Sequence, residues 1–539
     1  MRQISSKLKF RPPPALPIDD SGDFGPRAVR AIFACTQPKP VKNPILACVS
    51  QPALDLLEIS STLAETAEFV EVFSGNEIIP GSVPLAHCYC GFQFGVFAGQ
   101  LGDGAAILLG TTETGWELGL KGSGLTQFSR FADGRKVLRS SIREFLASEA
   151  MHALGIPSTR SASVIVSDVL VWRDLLYDGH PRQEKCAVIS RISRSFIRFG
   201  SFEIARSSDP QSGRQGPCFE EPQVVMKLLD NVISCHYDNC SIEDFIRQVT
   251  IRTAELVAHW QSIGFCHGVL NTDNMSIIGD TIDYGPFAFM EQYNPTLVAN
   301  TSDRGRRYAF RNQPGICQWN CLVLADTIEE VLGRIEGPEL SMRLIDIVKD
   351  TFISTFETKY RKLMRSKLRL REDVDDAIAD DLIARLLKLM EATRVDYTNT
   401  MHWLWTCSPT MDTMADGWEA FVVDLKALQA SGERPNVNPK FILRNYLVQR
   451  AIESAEAGDY SGVKRLLQAA LDPFNPAIDQ ELTIPQPLGG TCTSLSCSSL
   501  TFCVIADQFT IHRFCNKIHL IFHHQALPIN RYVSGFVMF

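Results

Sequence analysis

From Val224 onward, apolar residues recur at helical spacing over long stretches. These are Val224 to Ser234, Ile242 to Gly264, Asp326 to Glu336, Leu340 to Met364, Asp373 to Glu391, Met414 to Ala430 and Lys440 to Ala470. Each predicts a helix with one face buried. The preceding part of the chain reads differently. Short β-rich runs at Ala106 to Leu109, Trp116 to Lys121, Ala162 to Trp172 and Cys186 to Ile192 predict strands. One amphipathic helix interrupts them, from Ser140 to Leu154, with Ile142, Phe145, Leu146, Ala150 and Leu154 as its stripe and Gly155 and Pro157 as stop signals. Leu54 to Glu68 also has helix-like spacing, and the turn formers between Ser207 and Pro222 predict a loop. The pattern implies an α+β chain with a β-rich first lobe (residues 25–200) and a mainly α-helical second lobe (201–475), preceded by a flexible segment (1–24) and followed by a divergent Cys/Ser-rich tail (476–539).

Composition narrows the classes. The 539 residues carry 53 Lys+Arg against 61 Asp+Glu, a net charge of −8, and 45% are hydrophobic. That composition supports globular domains and offers no general attraction for nucleic acid or anionic lipid. No stretch reaches the roughly 18 to 20 uninterrupted apolar residues of a membrane span. The 16 cysteines are dilute, and the pairs Cys88/Cys90, Cys235/Cys240 and Cys317/Cys321 lack a second pair at zinc-site spacing, so they read as separate thiols in a reducing compartment. Arg2, Lys7, Lys9 and Arg11 precede the first acid, Asp19, which suits either an organelle transit peptide or an ordinary disordered N-terminus.

The candidate chemistry begins in a glycine-dense run from Gly91 to Gly104. Such a run either makes tight turns between strands or lets several backbone N–H groups approach phosphate. Lys121 then closes a strand-like Trp-Glu-Leu-Gly-Leu-Lys, where an ammonium group can reach ATP phosphates. A lysine in that position needs a counter-ion. Glu144, on the next helix, is the candidate, although Ser141-Ile142-Arg143-Glu144 fits a capping box equally well. Arg191 and Arg198 are suited to phosphate oxygens or, alternatively, to solvent. His267-Gly268-Val269-Leu270-Asn271-Thr272-Asp273-Asn274, followed by Asp283-Tyr284-Gly285, has the order and spacing of a kinase catalytic loop and its D-F-G segment. Asn274 and Asp283 could share a Mg²⁺ ion that bridges nucleotide phosphates. Val269 stands where the kinase base would be and cannot accept a proton. Asp273 is the nearest carboxylate able to replace it, its other reading being an Asx-turn residue.

Taken together, these residues resemble the selenoprotein O family, also called SelO or YdiU. The resemblance covers roughly residues 25 to 475 and includes Gly95 to Gly104, Phe128-Ser129-Arg130-Phe131-Ala132-Asp133-Gly134-Arg135, Ser140 to Leu146, Arg198 to Glu203, His267 to Ser276, and Asn438-Pro439-Lys440 with Leu443 to Leu447. It implies a bilobal protein-kinase-like (pseudokinase) fold. It also implies a protein adenylyltransferase that binds ATP in reverse orientation and moves AMP to Ser, Thr or Tyr hydroxyls of protein substrates. By the same resemblance, Gly102, Gly104, Ala105, Lys121, Asp133, Gly134, Arg191, Arg198 and Asp283 contact ATP, and Glu144 positions Lys121. Asn274 and Asp283 hold Mg²⁺, with Mn²⁺ as the alternative ion, and Asp273 is the proton acceptor. The alternatives are an inactive nucleotide-binding pseudokinase scaffold or a protein kinase. Eukaryotic members suggest mitochondria, with the cytoplasm as the alternative.

Departures stand out at four places. Ala105 replaces a common Arg, and Phe92 replaces a common His. Ser496-Cys497-Ser498-Ser499 resembles the family's C-terminal end but precedes an unfamiliar tail, while Ala299 stands where some relatives have a cysteine, which predicts loss of a regulatory disulfide.

Overall fold

A computed structural model describes residues 3–25, 27–174, 179–337, 343–406, 417–432 and 434–486. Eleven strands occupy its N-terminal region: β1 (Ile18–Asp19), β2 (Phe33–Cys35), β3 (Ile45–Val49), β4 (Leu85–His87), β5 (Phe92–Gln93), β6 (Val96–Phe97), β7 (Ala106–Thr111), β8 (Glu117–Lys121), β9 (Lys136–Val137), β10 (Arg160–Arg173) and β11 (Arg182–Ser193). Nine form one sheet in the order β1-β2-β4-β7-β8-β11-β10-β3, with β9 also paired to β11; β5 and β6 make a separate hairpin. Only the β1–β2 pair is parallel.

Side chains on the central strands alternate between two cores, as the period of two requires. Ala187 and Ile189 of β11 join a cluster with Ile142, Phe145 and Leu146 of the Leu138–Ala153 helix. Val188 and Ile192 instead join Leu118 and Leu120 of β8 and Phe69 and Phe73 of the Ala67–Ser74 helix. Burying one such aliphatic side chain stabilises by about 1.5–3 kcal/mol. The sheet is thereby held from both faces, which fixes the positions of the β8 and β11 side chains.

The C-terminal region is helical. The Ile242–Ile263 helix starts at Ser241, whose hydroxyl accepts from the Asp244 N–H at 3.1 Å, and it ends at Gly264 with φ +73°. It packs against the Gln313–Glu336 and Leu344–Lys367 helices. The Asp326 to Glu336 expectation caught only the end of the former. Its first turns carry buried Gln313 and Asn320, which interrupt the apolar stripe because they bond to loop backbone: Gln313 Nε2 donates to the Phe265 carbonyl at 2.9 Å, and Asn320 Nδ2 to that of Leu270 at 3.1 Å.

Other boundaries differ too. The flexible segment expected over 1–24 is, where described, packed: Ile4 and Leu8 are buried in the cluster that holds Leu118 and Phe69, and β1 joins the sheet. The helix expected from Lys440 to Ala470 is two helices, Asn445–Glu456 and Ser461–Leu471, separated at Gly458 with φ +97°. Leu54 to Glu68 breaks at Glu58, which is left-handed, into short turns. The Tyr397–Thr406 helix was not anticipated. The expected starts at Leu340 and Met414 fall outside the described residues, as do Cys497 and the tail after Gln486.

Candidate active site

The Leu138–Ala153 helix begins three residues before Ser141, so Ser141 lies inside it and donates its hydroxyl to the Val137 carbonyl at 3.2 Å. The capping-box reading of Glu144 is therefore excluded. Instead Glu144 points at the sheet, where Oε2 accepts from Lys121 Nζ at 2.8 Å and Oε1 lies 3.0 Å from Arg191 Nε. The register explains the meeting: Arg191 on β11 pairs with Gly119 on β8, two residues from Lys121, so both cations project from the same face.

Asp283 completes the cluster. Its Oδ1 accepts from Lys121 Nζ at 2.9 Å and from Arg191 Nη2 at 2.9 Å, and its Oδ2 accepts from Arg198 Nη1 at 2.8 Å. Burial alone would raise its pKa, but Lys121, Arg191 and Arg198 outweigh it and hold the carboxyl well below the usual range. Asp283 has φ +56°, a conformation that aspartate tolerates better than most side chains.

Arg198 also ties this cluster to the His267–Asn274 loop. Its Nη1 donates to the Asp273 carbonyl at 2.8 Å, and its guanidinium lies 4.4 Å from the Tyr89 ring centroid. Asp273 belongs to a 3₁₀ turn, Thr272–Asn274. Its carboxyl is buried, with Oδ1 lacking a hydrogen-bond donor among the described residues and Oδ2 accepting weakly from Gln93 Nε2 at 3.4 Å. Desolvation raises its pKa to about 6, with Arg198 opposing the rise. Asn274 donates Nδ2 to the Val269 carbonyl at 3.0 Å, an orientation that turns its amide oxygen away from that contact. His267 is structural here: its ring bonds the Ile282 carbonyl at 2.9 Å, bracing the segment that leads into Asp283.

The glycine-dense run divides into two parts. The β5–β6 hairpin docks on the loop, with Phe92 N–H donating to Thr272 Oγ1 at 2.8 Å and Phe94 N–H to Tyr308 Oη at 2.9 Å. A Cβ on Gly91 would stand 2.4 Å from Asp273 Oδ1, so only glycine permits this approach. The following part carries Gly102, with φ +93° against the Phe128 ring, then Gly104, whose carbonyl accepts from Ser129 Oγ at 2.6 Å, and Ala105, whose carbonyl accepts from the Gly122 N–H at 2.7 Å.

Asp133 and Gly134 lie on the turn after β8. Asp133 is gripped by Arg173 through two bonds of 2.8 Å and makes no bond to the Asp283 cluster, while the Gly134 carbonyl accepts from Gly124 at 3.2 Å. Sequence reasoning missed Arg173, Tyr89, Gln93 and half-buried Lys136, whose pKa burial and the nearby Lys121 charge depress to about 7. It also passed over Asp103, whose Oδ1 lies 3.8 Å from Arg198 Nη2. Its place beside Gly102 was the available signal. Arg173, at the far end of β10, gave none.

Among the described residues, no cluster of three or more His, Cys, Asp and Glu side chains is arranged to hold a metal ion. Asn274 and Asp283 offer hard oxygen donors, which fits Mg²⁺, an ion that ordinarily takes only one or two protein ligands and fills the rest of its shell with water and substrate phosphate. No helix among the described residues is long and apolar enough to cross a membrane.

A family model described as protein adenylyltransferase SelO matches residues 27–471. The mouse protein named protein adenylyltransferase SelO, mitochondrial, is 40% identical over 89% of this chain and 87% of its own length. Its human namesake is 40% identical over 88% and 86%. A Pseudomonas fluorescens SBW25 protein named protein nucleotidyltransferase YdiU is 39% identical over 86% of this chain and 95% of its own. The chain that builds the Lys121–Glu144–Asp283 cluster belongs to the SelO family of protein adenylyltransferases.

Proposed function

We propose that this chain is a kinase-like protein adenylyltransferase that transfers AMP from ATP to a Ser, Thr or Tyr hydroxyl of a protein and releases pyrophosphate. The observation that carries the reading is the convergence of Lys121, Arg191 and Arg198 on Asp283, beside a loop that has Val269 in place of the kinase base and a buried Asp273 close by.

The cations supply charge for the triphosphate, and Glu144, touching both Lys121 and Arg191, holds two of them in position. The Gly102 to Ala105 backbone and the Asp133–Gly134 turn border the nucleotide. Mg²⁺, or Mn²⁺ in its place, would be held by Asn274 and Asp283 and would supply Lewis-acid charge at the phosphates. Asp273 takes the proton of the acceptor hydroxyl. The hydroxyl oxygen then bonds to the α-phosphorus, the α-phosphorus bond to the bridging oxygen breaks, and that oxygen leaves with pyrophosphate. Kinase chemistry is disfavoured by Val269; a nucleotide-binding scaffold is favoured only by Ala105, which lacks the family's arginine. Intact-mass measurement of an acceptor protein after incubation with Mg²⁺ and ATP separates these: addition of AMP supports the proposal, and addition of phosphate or no addition counts against it.

The mitochondrial names of the mouse and human relatives support a mitochondrial location. A reporter fused after residue 40 should enter mitochondria. A cytosolic reporter would contradict this reading.

A further inference from the structure

The C-terminal half of the Leu344–Lys367 helix lines a cleft of about 510 Å³ that shares no residue with the Asp283 cluster. The size falls within the range of about 300–1,000 Å³ typical of small-molecule sites. Five cations face it: Arg361, Lys362, Arg365, Arg369 and Arg434. Among the described residues their compensation is incomplete. Arg361 is held by both oxygens of Asp380 at 2.7 Å, and Arg365 meets Asp376 at 3.1 Å. Among the described residues, Glu372 is the only other acid in the lining. Lys362 and Arg434 are exposed and make no ion pair among the described residues, and Arg369 keeps a buried Nε without an acceptor. An excess of positive charge in a cleft is a local exception in a chain of net charge −8, and concave walls focus such a field.

One wall is apolar. Leu370 and Pro435 line the cleft together with Trp405, over whose ring the Arg369 guanidinium lies at 6.0 Å from the centroid. Guanidinium groups match phosphate oxygens, and the apolar wall suits a ring or hydrocarbon body. We infer that this cleft binds a small phosphate ester with an apolar or planar body, at a site separate from the catalytic centre. The cleft volume favours a freely diffusing molecule over a phosphorylated protein segment.

Calorimetric titration of the full chain with phenyl phosphate at fixed ionic strength tests the inference. Saturable one-to-one binding is expected for the unaltered chain and for Lys121→Ala, and at least about tenfold weaker binding for Lys362→Glu/Arg434→Glu, whose exposed positions leave the core untouched. Reversal of the exposed Lys388, as Lys388→Glu, should leave binding unchanged. Absence of saturable binding, equal binding by the double reversal, or loss in Lys121→Ala or Lys388→Glu alone would overturn the site. Equal affinity for inorganic phosphate would overturn the ring-binding wall, and tighter binding of a phosphotyrosine peptide would overturn the small-molecule assignment.

Discussion

Asp273 has one carboxylate oxygen without a donor among the described residues, so its ionisation loses solvation that Arg198 and Gln93 restore only in part. Its native pKa of about 6 lies above the ordinary aspartate value of about 3.9. The folded chain therefore binds this proton more tightly than the unfolded chain does. Stability contributed by this group falls as pH rises from about 4 to about 6, and the penalty is complete above that window. Asp273→Asn should accordingly raise Tm near pH 8, change it little near pH 4, and lower AMP transfer by about 10²-fold or more. In the unaltered enzyme, transfer should decline as pH falls through about 6. A Tm gain independent of pH, or transfer retained by the variant, would contradict this account of the residue.

The neighbouring Asn274 is predicted to behave differently. Asn274→Ala should raise the Mg²⁺ concentration required for activity, and excess Mg²⁺ should restore part of the rate. Asp273→Ala should lower turnover by about 10²-fold or more with no metal rescue. Equal rescue of both would mean that Asp273 acts through the ion. For Lys121→Ala, Glu144 and Asp283 keep Arg191 as a partner, so a stability loss of about 1–3 kcal/mol should accompany a much larger fall in kcat/KM, about 10²-fold or more. Denaturant melts and kinetics on the same preparation check the separation.

Among the elements, the β5–β6 hairpin is the one whose role the glycine pattern obscured. Its N-terminal end lies against the Thr272–Asn274 turn, and the added methyl of Gly91→Ala would meet the Asp273 carboxyl at 2.4 Å. That variant should keep Mg²⁺-ATP affinity while lowering turnover if the displaced Asp273 is the base proposed for the acceptor hydroxyl. Weakened nucleotide binding with normal turnover would reassign the hairpin. Legibility followed physical cause. The Leu138–Ala153 helix and the central strands were readable because their apolar periods match their burial. The start of the Gln313–Glu336 helix was not, because Gln313 and Asn320 are buried to satisfy loop backbone, which resembles solvent exposure in sequence. Within the site, the meeting of Lys121, Glu144 and Asp283 was legible from order and spacing, whereas Asn274 bonds the Val269 carbonyl. Arg173 and Tyr89 act through contacts that only the folded sheet creates.

For the whole molecule, the sheet-rich N-terminal region and the helical C-terminal region each supply part of one charge cluster. Lys121, Glu144, Arg191 and Arg198 come from the former, and Asp273 and Asp283 from the loop segment of the latter between its Ile242–Ile263 and Gln313–Glu336 helices. The most direct measurement of the central claim is incubation of the chain with a hydroxyl-bearing acceptor protein, Mg²⁺ and ATP labelled at either the α- or the γ-phosphate. The account predicts protein-bound label from α-labelled ATP only, released pyrophosphate carrying the γ-label, and loss of both signals in Asp283→Ala. Protein-bound label from γ-labelled ATP, or α-label transfer undiminished by Asp283→Ala, would contradict it.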